Sequence, residues 1–354
     1  METPINAFCF DGNVISCDKY GEGHINQTYL VVTDKGKRYI MQRLNSFVFK
    51  DCHGLMNNVS SVTSFLSKKY SDPRRSLHLV PTLQGTDWHV DHEGYYWRVY
   101  DFIEGSTCLQ MARSKEDFFN SAAAFGGFQA ALIDFPASTL VETIPNFHNT
   151  PARYQQFKKS LKENAAGRAE EVEEEIHFIL SREEDAVYLQ ERLEKGILPL
   201  RVTHNDTKLN NVLLDENTGE ALCIIDLDTV MPGLVAYDFG DSIRFGASTG
   251  AEDEKDLSKI EMDLDLFKAY CEGFIPACPG LTSEEIRSLP YGAKIITLEN
   301  ALRFLMDYID GDTYYKIAHP VQNLDRARTQ IKLVMDMESK FHEMQEICNS
   351  YISL

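Results

Sequence analysis

A polar loop between two apolar segments is the feature that most constrains how this chain can fold. One apolar run ends at Thr203, the polar residues 204–211 follow, and a second apolar run leads to a turn at residues 217–220. The chain then returns along a strand that ends in carboxylates at Asp226 and Asp228. This order predicts a strand, a loop and a hairpin that present several polar side chains from one edge. Taken alone, the loop also fits an ordinary strand–turn–strand without a function.

The spacing inside this loop indicates phosphoryl transfer. Asp206 and Asn211 stand five residues apart with Lys208 between them, and a strand-end carboxylate follows. Phosphoryl transfer needs a proton acceptor for the substrate hydroxyl, oxygen ligands for Mg²⁺ and positive charge near the transferred oxygens. We therefore predict Asp206 as the catalytic proton acceptor and Lys208 as the cation. Asn211 and Asp226 are the predicted Mg²⁺ ligands, with Asp228 on the same strand face as a candidate second carboxylate ligand.

Length and composition describe a globular chain with room for two domains. The chain has 354 residues, of which 43% are hydrophobic and 25% charged, so each of two domains can bury its own core. The formal net charge is −19, and the acids concentrate at 170–175, 183–185 and 252–265, where we expect solvated helix faces. This balance argues against nucleic acid and anionic membranes as partners, and no obligate protein partner is evident.

The sequence predicts a cytoplasmic protein with reduced thiols. It contains no apolar run of membrane-spanning length, and its N-terminus lacks the basic and apolar regions of a signal peptide. The eight cysteines include no C-x-x-C pair, so we expect free thiols instead of a disulfide framework or a zinc site.

Hydrophobic periodicity predicts a small β-rich domain over residues 1–103 and a larger helical domain over residues 104–354. In the first, we expect strands at 29–32, 38–43, 79–82 and 95–100, and a helix from about 50 to 70 that Pro73 closes. In the second, we expect a buried helix through 118–132, long acidic helices between 151 and 195, a helix from 264, a helix start with a capping box at Thr282, and helices at 294–309 and 325–349.

The loop and its surroundings resemble the aminoglycoside phosphotransferase/choline kinase superfamily. The resemblance is carried by residues 204–228 and by the segment 237–241. Three further stretches, at 23–29, 41–45 and 303–314, resemble the N-acetylhexosamine 1-kinase group of that superfamily. The resemblance implies an α+β fold with two lobes like a protein kinase, ATP and Mg²⁺ as cofactors, and a small hydroxylated metabolite as the acceptor.

The same resemblance implies roles for two other segments. Residues Tyr100, Phe102 and Ile103 would lie in the hinge whose backbone groups bind adenine, although a simple strand-to-helix loop is the alternative. Asp238 and Asp241 are expected to brace the catalytic loop by hydrogen bonds instead of contacting the metal. His204 is expected to support the loop and not to act as a base.

One strand departs from the kinase pattern. Gln42 stands where kinases carry a phosphate-binding lysine, with Arg43 on the opposite strand face. The following helix offers Asn57 and Asn58 where the glutamate partner of that lysine would be. Gln42 is therefore the predicted neutral residue at the nucleotide, and the way in which the phosphates are held stays open.

The resemblance also implies an acceptor pocket. His24, Arg303 and Tyr314 would hydrogen-bond the hydroxyls of N-acetylglucosamine or N-acetylgalactosamine, with Phe245 as an apolar wall. Phosphorylation of the anomeric hydroxyl would give the sugar 1-phosphate. A kinase for an aminoglycoside, choline or another amino alcohol is one rival, although it would need a cage for the cation. A catalytically silent pseudokinase that acts as a binding module is another, because the lysine–glutamate pair is missing.

Overall fold

The chain forms two compact units. The computed structural model describes residues 3–21, 25–109, 112 and 114–352. The smaller unit comprises Met1–Cys108, Asp134–Pro145 and Asn211–Pro232, and the larger unit comprises Leu109–Ile133, Asn146–Asn210 and Gly233–Leu354. The hairpin that follows the polar loop thus belongs to the smaller unit, together with the predicted β-rich segment.

Strands dominate the first part of the chain and helices the second. The strands are β1 (Val14–Lys19), β2 (Gln27–Thr33), β3 (Arg38–Arg43), β4 (His89–Val90), β5 (Tyr96–Asp101), β6 (Ser106–Cys108), β7 (Arg201–Thr203), β8 (Val212–Asp215), β9 (Ala221–Ile224) and β10 (Met231–Gly233). The helices are α1 (Cys52–Ser67), α2 (Lys115–Ala131), α3 (Thr150–Glu163), α4 (Glu173–Leu180), α5 (Glu183–Ala186), α6 (Tyr188–Glu194), α7 (Val235–Gly246), α8 (Leu264–Ala277), α9 (Ser283–Ile309), α10 (Gln322–Ser339) and α11 (Phe341–Asn349).

The smaller unit contains two antiparallel sheets. One has the order β1-β2-β3-β5-β4, and the other has the order β6-β8-β9. The β2–β3 hairpin turns at Gly36, whose φ of +75° is readily adopted by glycine. Alternate side chains such as Val31, Met41 and Val99 are fully buried on one face. On the other face, the register of β3 with β5 sets Gln42 directly opposite Arg98.

Helix α1 is tied to distant segments of the same unit. Its N-cap residue Asp51 accepts a hydrogen bond from the Gly54 N–H (2.8 Å). Its buried Asn58 donates to the carbonyls of Val141 (2.8 Å) and Val230 (3.0 Å). Asn58, expected as a substitute near the nucleotide, thus joins α1 to the chain just after β9.

Two expectations for the smaller unit were wrong in detail. Residues 79–82 form no strand but only isolated bridges from Leu79 and Thr82, since Pro81 has no N–H to donate to a ladder. The helix expected to reach residue 70 ends at Ser67, and Pro73 begins a separate 3₁₀ turn. Strands β1 and β4 were not predicted. Strand β1 is only partly buried, and β4 has only two residues.

The larger unit is built around α9. Buried side chains of α9 pack with residues from α3, α4 and α10, among them Tyr154, Phe157, Leu302 and Val334. Hydrophobic burial of this kind is the main favourable contribution to folding. No helix in the described part of the chain has the length and apolarity needed to cross a membrane.

Helix boundaries in the larger unit differ from the sequence prediction at three places. The capping box at Thr282 is confirmed, with Thr282 Oγ1 accepting from the Glu285 N–H (3.2 Å). The helix that it starts does not stop, however, but runs through Pro290 to Ile309 as a single α9. The expected final helix is divided at Lys340 into α10 and α11, and the acidic region holds four helices, of which three are eight residues or shorter.

Helices α7 and α9 approach backbone to backbone at two glycines. A Cβ at Gly292 would lie 2.1 Å from the Ala236 carbonyl oxygen, and a Cβ at Gly240 would lie 2.3 Å from the Gly292 carbonyl oxygen. Neither position has room for a side chain, and the obstacle in each case is backbone. This contact fixes α7, which carries Asp238 and Asp241, against the core of the larger unit.

We predict that Gly292→Ala destabilises the protein by about 1–3 kcal/mol, because the added methyl group must push the two helices apart. The free energy of unfolding in urea measures the effect. Gly127→Ala in α2 is the matched control, since a Cβ there meets nothing within 4 Å and should stabilise the helix by about 0.5–1 kcal/mol. Equal stability of Gly292→Ala and the wild type would contradict the close packing.

Candidate active site

The polar loop begins immediately after β7, and its first two residues are buried. His204 is fully buried, and the rings of Phe125 and Phe128 lie edge-on to it with centroid distances of 5.6 and 5.9 Å. Asn205 follows with a φ of +64°, in the left-handed region that asparagine tolerates better than most residues. The histidine therefore supports the loop, which is the role expected for it.

Two carboxylates of α7 hold the backbone of this loop. Asp238 accepts hydrogen bonds from the N–H groups of His204 (2.9 Å) and Asn205 (2.7 Å), and from Nε2 of Gln129 (2.6 Å). Asp241 accepts from the N–H of Thr207 (3.0 Å). Asp238 is fully buried, and burial raises the pKa of its carboxyl group. The expected bracing of the loop by Asp238 and Asp241 is confirmed.

A second set of contacts fixes Asp241 itself. Arg244 lies 3.1 Å from Asp241 and 2.8 Å from Glu252, and its side chain is buried. Burial alone would raise the pKa of Asp241, but Arg244 and Lys208 together hold it below its usual value. A charged Asp241 is thus maintained by two cations, one of them in the loop.

Asp206 and Lys208 form the exposed part of the loop. Lys208 Nζ lies 3.0 Å from Asp206 Oδ1, and the two side chains are 39% and 28% exposed. The negative charge of Asp206 is the main cause of a raised pKa for Lys208, so the lysine stays protonated around neutral pH. The larger unit therefore presents a carboxylate and an ammonium group from a loop whose backbone is hydrogen-bonded to Asp238 and Asp241.

The predicted metal ligands lie in the smaller unit. Asn211 ends a 3₁₀ turn of Leu209–Asn211, and its carbonyl accepts from the Ile225 N–H (2.9 Å), which joins the two ends of the β8–β9 hairpin. Asp226 directly follows with a φ of +59°, a left-handed conformation. An amide oxygen and a carboxylate are hard donors that suit Mg²⁺, which usually takes one or two protein ligands and completes its shell with water and phosphate oxygens.

Asp228 has different neighbours. Its carboxylate lies 2.5 Å from Nη1 of Arg98 and accepts a hydrogen bond from Nδ2 of Asn26 (2.5 Å). The side chains of Arg98 and Asp228 are 1% and 3% exposed. This buried ion pair engages the carboxylate of Asp228.

The residues expected at the nucleotide also lie in the smaller unit. Gln42 accepts from Arg98 and donates to Thr28 Oγ1 (3.2 Å). Tyr100 is buried at the end of β5, and burial raises the pKa of its hydroxyl group. Ile103 is also buried, and Phe102 packs between the guanidinium group of Arg38 (4.0 Å) and the ring of Tyr20 (6.2 Å).

The residues expected at the acceptor, as far as the structure describes them, belong to the larger unit. Arg303 lies on α9, half-buried, with its guanidinium carbon 5.3 Å from the ring centre of Phe147 and 5.7 Å from that of Tyr315. Tyr314 is 59% exposed, and its ring packs against Tyr315 at 4.8 Å. Phe245 lies at the end of α7 and is half-buried. His24 lies outside the described residues.

The loop that carries Tyr314 is organised by a single carboxylate of α9. Asp307 accepts hydrogen bonds from the N–H groups of Thr313 (2.9 Å), Tyr314 (2.8 Å) and Tyr315 (2.9 Å). Because Asp307 follows Arg303 by one helical turn, both side chains lie on the same side of α9. Helix α9 thus sets the position of Arg303 relative to the loop that carries Tyr314.

Three ionisable residues near Arg303 were not predicted from the sequence. His148 Nδ1 lies 3.0 Å from Glu299, which also accepts from Thr150 Oγ1 (2.8 Å). Arg153 donates to the Phe147 carbonyl, and burial, followed by the positive charge of Arg303, lowers its pKa. The pairing of His148 with Glu299 joins residues 151 positions apart in the chain, so no local sequence pattern predicts it.

Comparisons with known proteins concern the family and the fold. The profile of the phosphotransferase enzyme family matches residues 16–278. Among solved structures, the chain is similar to an aminoglycoside phosphotransferase from Alicyclobacillus acidocaldarius, with 13% identity and a TM-score of 0.63 over 96% of this chain and 94% of that one. It is also similar to a microcompartment-associated aminopropanol kinase, with 15% identity and a TM-score of 0.62 over 96% of each chain.

A third similar structure contains ligands. It is an amicoumacin kinase in complex with AMP-PNP, Ca²⁺ and Ami, with 12% identity and a TM-score of 0.58 over 98% of this chain and 91% of that one. At these identities the similarity concerns the fold. The expected α+β, kinase-like fold, with a small antiparallel-sheet part and a larger helical part, is confirmed.

We predict that Asp238→Asn weakens both folding and catalysis. An amide in place of the carboxylate leaves one buried backbone N–H without an acceptor, at a cost of about 1–3 kcal/mol in the free energy of unfolding. The loosened loop should lower kcat on the order of 100-fold. Urea unfolding and steady-state kinetics measure the two effects.

The matched control is Asp256→Asn, which alters an exposed carboxylate that also accepts a backbone N–H, that of Ser258. This variant should keep the wild-type stability within about 0.5 kcal/mol and the wild-type kcat. A folded Asp238→Asn variant with the kcat of the wild type would show that the loop does not depend on this carboxylate.

Proposed function

The chain belongs to the phosphotransferase enzyme family, and we propose that it transfers the γ-phosphoryl group of ATP to the anomeric hydroxyl of an N-acetylhexosamine. The product is the sugar 1-phosphate. The use of a nucleotide is supported by the kinase-like fold and by the similar structure that contains AMP-PNP. The choice of acceptor rests on the surroundings of Arg303.

Asp206 is the proposed proton acceptor in this reaction. Its carboxylate is partly exposed beside Lys208, so it can meet a substrate hydroxyl and take its proton as the phosphoryl group arrives. Lys208 offsets negative charge on the transferred oxygens. Asn211 and Asp226 would hold Mg²⁺, which would supply positive charge to offset that of the phosphate oxygens.

The observation that carries the acceptor assignment is the cationic and aromatic environment of Arg303. Within the described residues Arg303 makes no ion pair, and the nearby Glu299 is already engaged by His148 and Thr150. An ammonium group placed here would face the positive charges of Arg303 and Arg153, and the carboxylate of Glu299 already interacts with both of these cations. An uncharged sugar avoids that repulsion.

An N-acetylhexosamine can form favourable contacts with Arg303 and with the aromatic surface beside it. Its acetamido carbonyl and ring hydroxyls can accept hydrogen bonds from the guanidinium group of Arg303. The exposed ring of Tyr314 supplies apolar surface for a face of the pyranose, and half-buried Phe245 is proposed as a further apolar wall. This chemistry favours the sugar over choline, an aminoglycoside or an aminopropanol, whose positive charge would be repelled by Arg303 and Arg153.

A panel of phosphate acceptors tests the assignment directly. The protein is incubated with MgATP and, in turn, N-acetylglucosamine, N-acetylgalactosamine, glucose, choline, ethanolamine, 1-amino-2-propanol and kanamycin, and the products are identified by ³¹P NMR. We expect turnover with an N-acetylhexosamine and a doublet from phosphate at the anomeric carbon. Turnover confined to the amines would overturn the proposal in favour of an amino-alcohol kinase, and nucleotide binding without any turnover would favour a pseudokinase.

Asp206→Asn should lower kcat by about 10²–10⁴-fold, the usual contribution of a general base. Binding of MgAMP-PNP, measured by calorimetry, should stay within a factor of about three, because the amide keeps the size of the side chain and removes only the proton acceptor. The exposed Asp256→Asn variant again provides the control. Unchanged turnover in Asp206→Asn would contradict the assignment of Asp206 as the proton acceptor.

Arg303→Met should raise the KM for the sugar by about 10–100-fold, the loss expected for hydrogen bonds from a charged donor. The KM for ATP should not change, because only the acceptor is affected. Arg287→Met on the same helix is the control, since Arg287 is exposed and pairs only with Glu284 one turn away. A rise in the KM for ATP with no change for the sugar would contradict this role.

A further inference from the structure

The missing lysine–glutamate pair of the nucleotide site has a counterpart on different elements of the smaller unit. Kinases pair a lysine of the third strand with a glutamate of the following helix. Here the third strand carries Gln42, and the cation stands directly across the sheet at Arg98 of β5. The carboxylate comes from Asp228, just after β9, and not from α1.

Arg98 makes contacts with three elements from a fully buried position. Its Nε and Nη2 both donate to Oε1 of Gln42, at 3.0 and 2.8 Å. Its Nη1 lies 2.5 Å from Asp228 and 3.9 Å from the sulfur of Met56 on α1. Lysine could not make this set of contacts, because only guanidinium offers several donors in a fixed planar fork.

These contacts determine which end of the Gln42 amide remains for a ligand. Arginine has only donors, so the atom of Gln42 that faces it must be the carbonyl oxygen. The amide nitrogen therefore lies on the far side of the amide carbon from Arg98, and it donates one hydrogen to Thr28 Oγ1. Gln42 is thus oriented as a neutral hydrogen-bond donor on the face of β3 that it shares with Thr28 of β2.

Asp228 is held from two sides. Besides the contact with Arg98, it accepts a hydrogen bond from Asn26, whose own Oδ1 accepts from the Asn45 N–H (3.0 Å). Asp226 stands only two residues before Asp228 along the chain, in its left-handed conformation. Whatever fixes Asp228 to the sheet therefore also restricts the position of Asp226.

We propose that Arg98 is the positioning residue of the nucleotide site, which orients the amide of Gln42 toward the phosphates and anchors the turn of Asp226 to the sheet through Asp228. The inference rests on the proposed use of ATP. In this arrangement the positive charge of Arg98 is buried and engaged by Asp228, and the group that meets the phosphates is the uncharged amide of Gln42. Phosphate recognition at this strand then depends on a donor N–H and not on a lysine.

The decisive variant is Gln42→Glu. A carboxylate at this position still accepts from both nitrogens of Arg98, so the variant should fold with a melting temperature at or above that of the wild type. It loses the outward N–H donor and turns a negative oxygen toward the phosphates. Calorimetry with MgAMP-PNP and with metal-free ADP should show binding weakened about tenfold or more for both probes, a loss that no purely structural role of Gln42 would cause.

A second set of variants moves the cation between the two strands. Arg98→Met alone should weaken binding of MgAMP-PNP about tenfold or more and lower the melting temperature, because it leaves Asp228 buried without its partner. Adding Gln42→Lys to it returns a positive charge across the sheet from β5, and the double variant should regain part of both losses. Arg74→Met is the matched control, since Arg74 pairs with Asp215 at the surface of the same unit (2.9 Å) and should leave nucleotide binding unchanged.

Each outcome has a defined meaning. If Gln42→Glu binds both nucleotides as the wild type does, the inference is overturned even if Arg98→Met fails to fold. If Arg98→Met folds and binds as the wild type does, it is overturned as well. The titrations contain no sugar, so a failed acceptor panel with intact nucleotide binding rejects only the proposed acceptor, and a wild type that binds no nucleotide rejects the proposed function itself.

Discussion

The bonds between the buried carboxylates of α7 and the backbone of the polar loop are the contacts on which the proposed chemistry depends. Asp238 receives the N–H groups of two successive loop residues, and Asp241 receives that of Thr207. Burying these charges is costly, and it is tolerated because each oxygen has a donor or a cation. Asp206 can remain partly exposed without being mobile, because the neighbouring backbone is fixed from the protein interior.

The close glycine contact between α7 and α9 also fixes the position of Arg303 and Asp307, the α9 residues near the proposed acceptor. Helix α7 carries the carboxylates that hold the loop, and α9 carries Arg303 together with Asp307, which organises the Tyr314 loop. Gly240 and Gly292 leave no gap between the two helices. The carboxylates of α7 and the side chains of Arg303 and Asp307 on α9 are therefore positioned by the same closely packed helix pair. Precise placement of catalytic and binding groups of this kind is worth several kcal/mol in a transferase.

Local patterns in the sequence predicted the loop, its bracing carboxylates and the oxygen donors at the end of β9, because each is encoded by spacing along a few residues. Contacts that depend on register or on distant pairing were not predictable in this way. Arg98 meets Gln42 only through the alignment of β3 with β5, and His148 meets Glu299 across 151 positions. The sequence prediction separated the helix start at Thr282 from the helix at 294–309, whereas α9 runs through Pro290 without a break, although proline usually interrupts a helix.

We propose that Asp206 takes a proton from the anomeric hydroxyl of an N-acetylhexosamine. A crystal structure of the protein with MgAMP-PNP and N-acetylglucosamine would show which hydroxyl lies at Asp206. We expect the O1 hydroxyl about 2.6–3.2 Å from an Asp206 carboxylate oxygen and the acetamido carbonyl facing Arg303. A sugar bound with another hydroxyl at Asp206, or with its anomeric carbon turned away from the nucleotide, would contradict it.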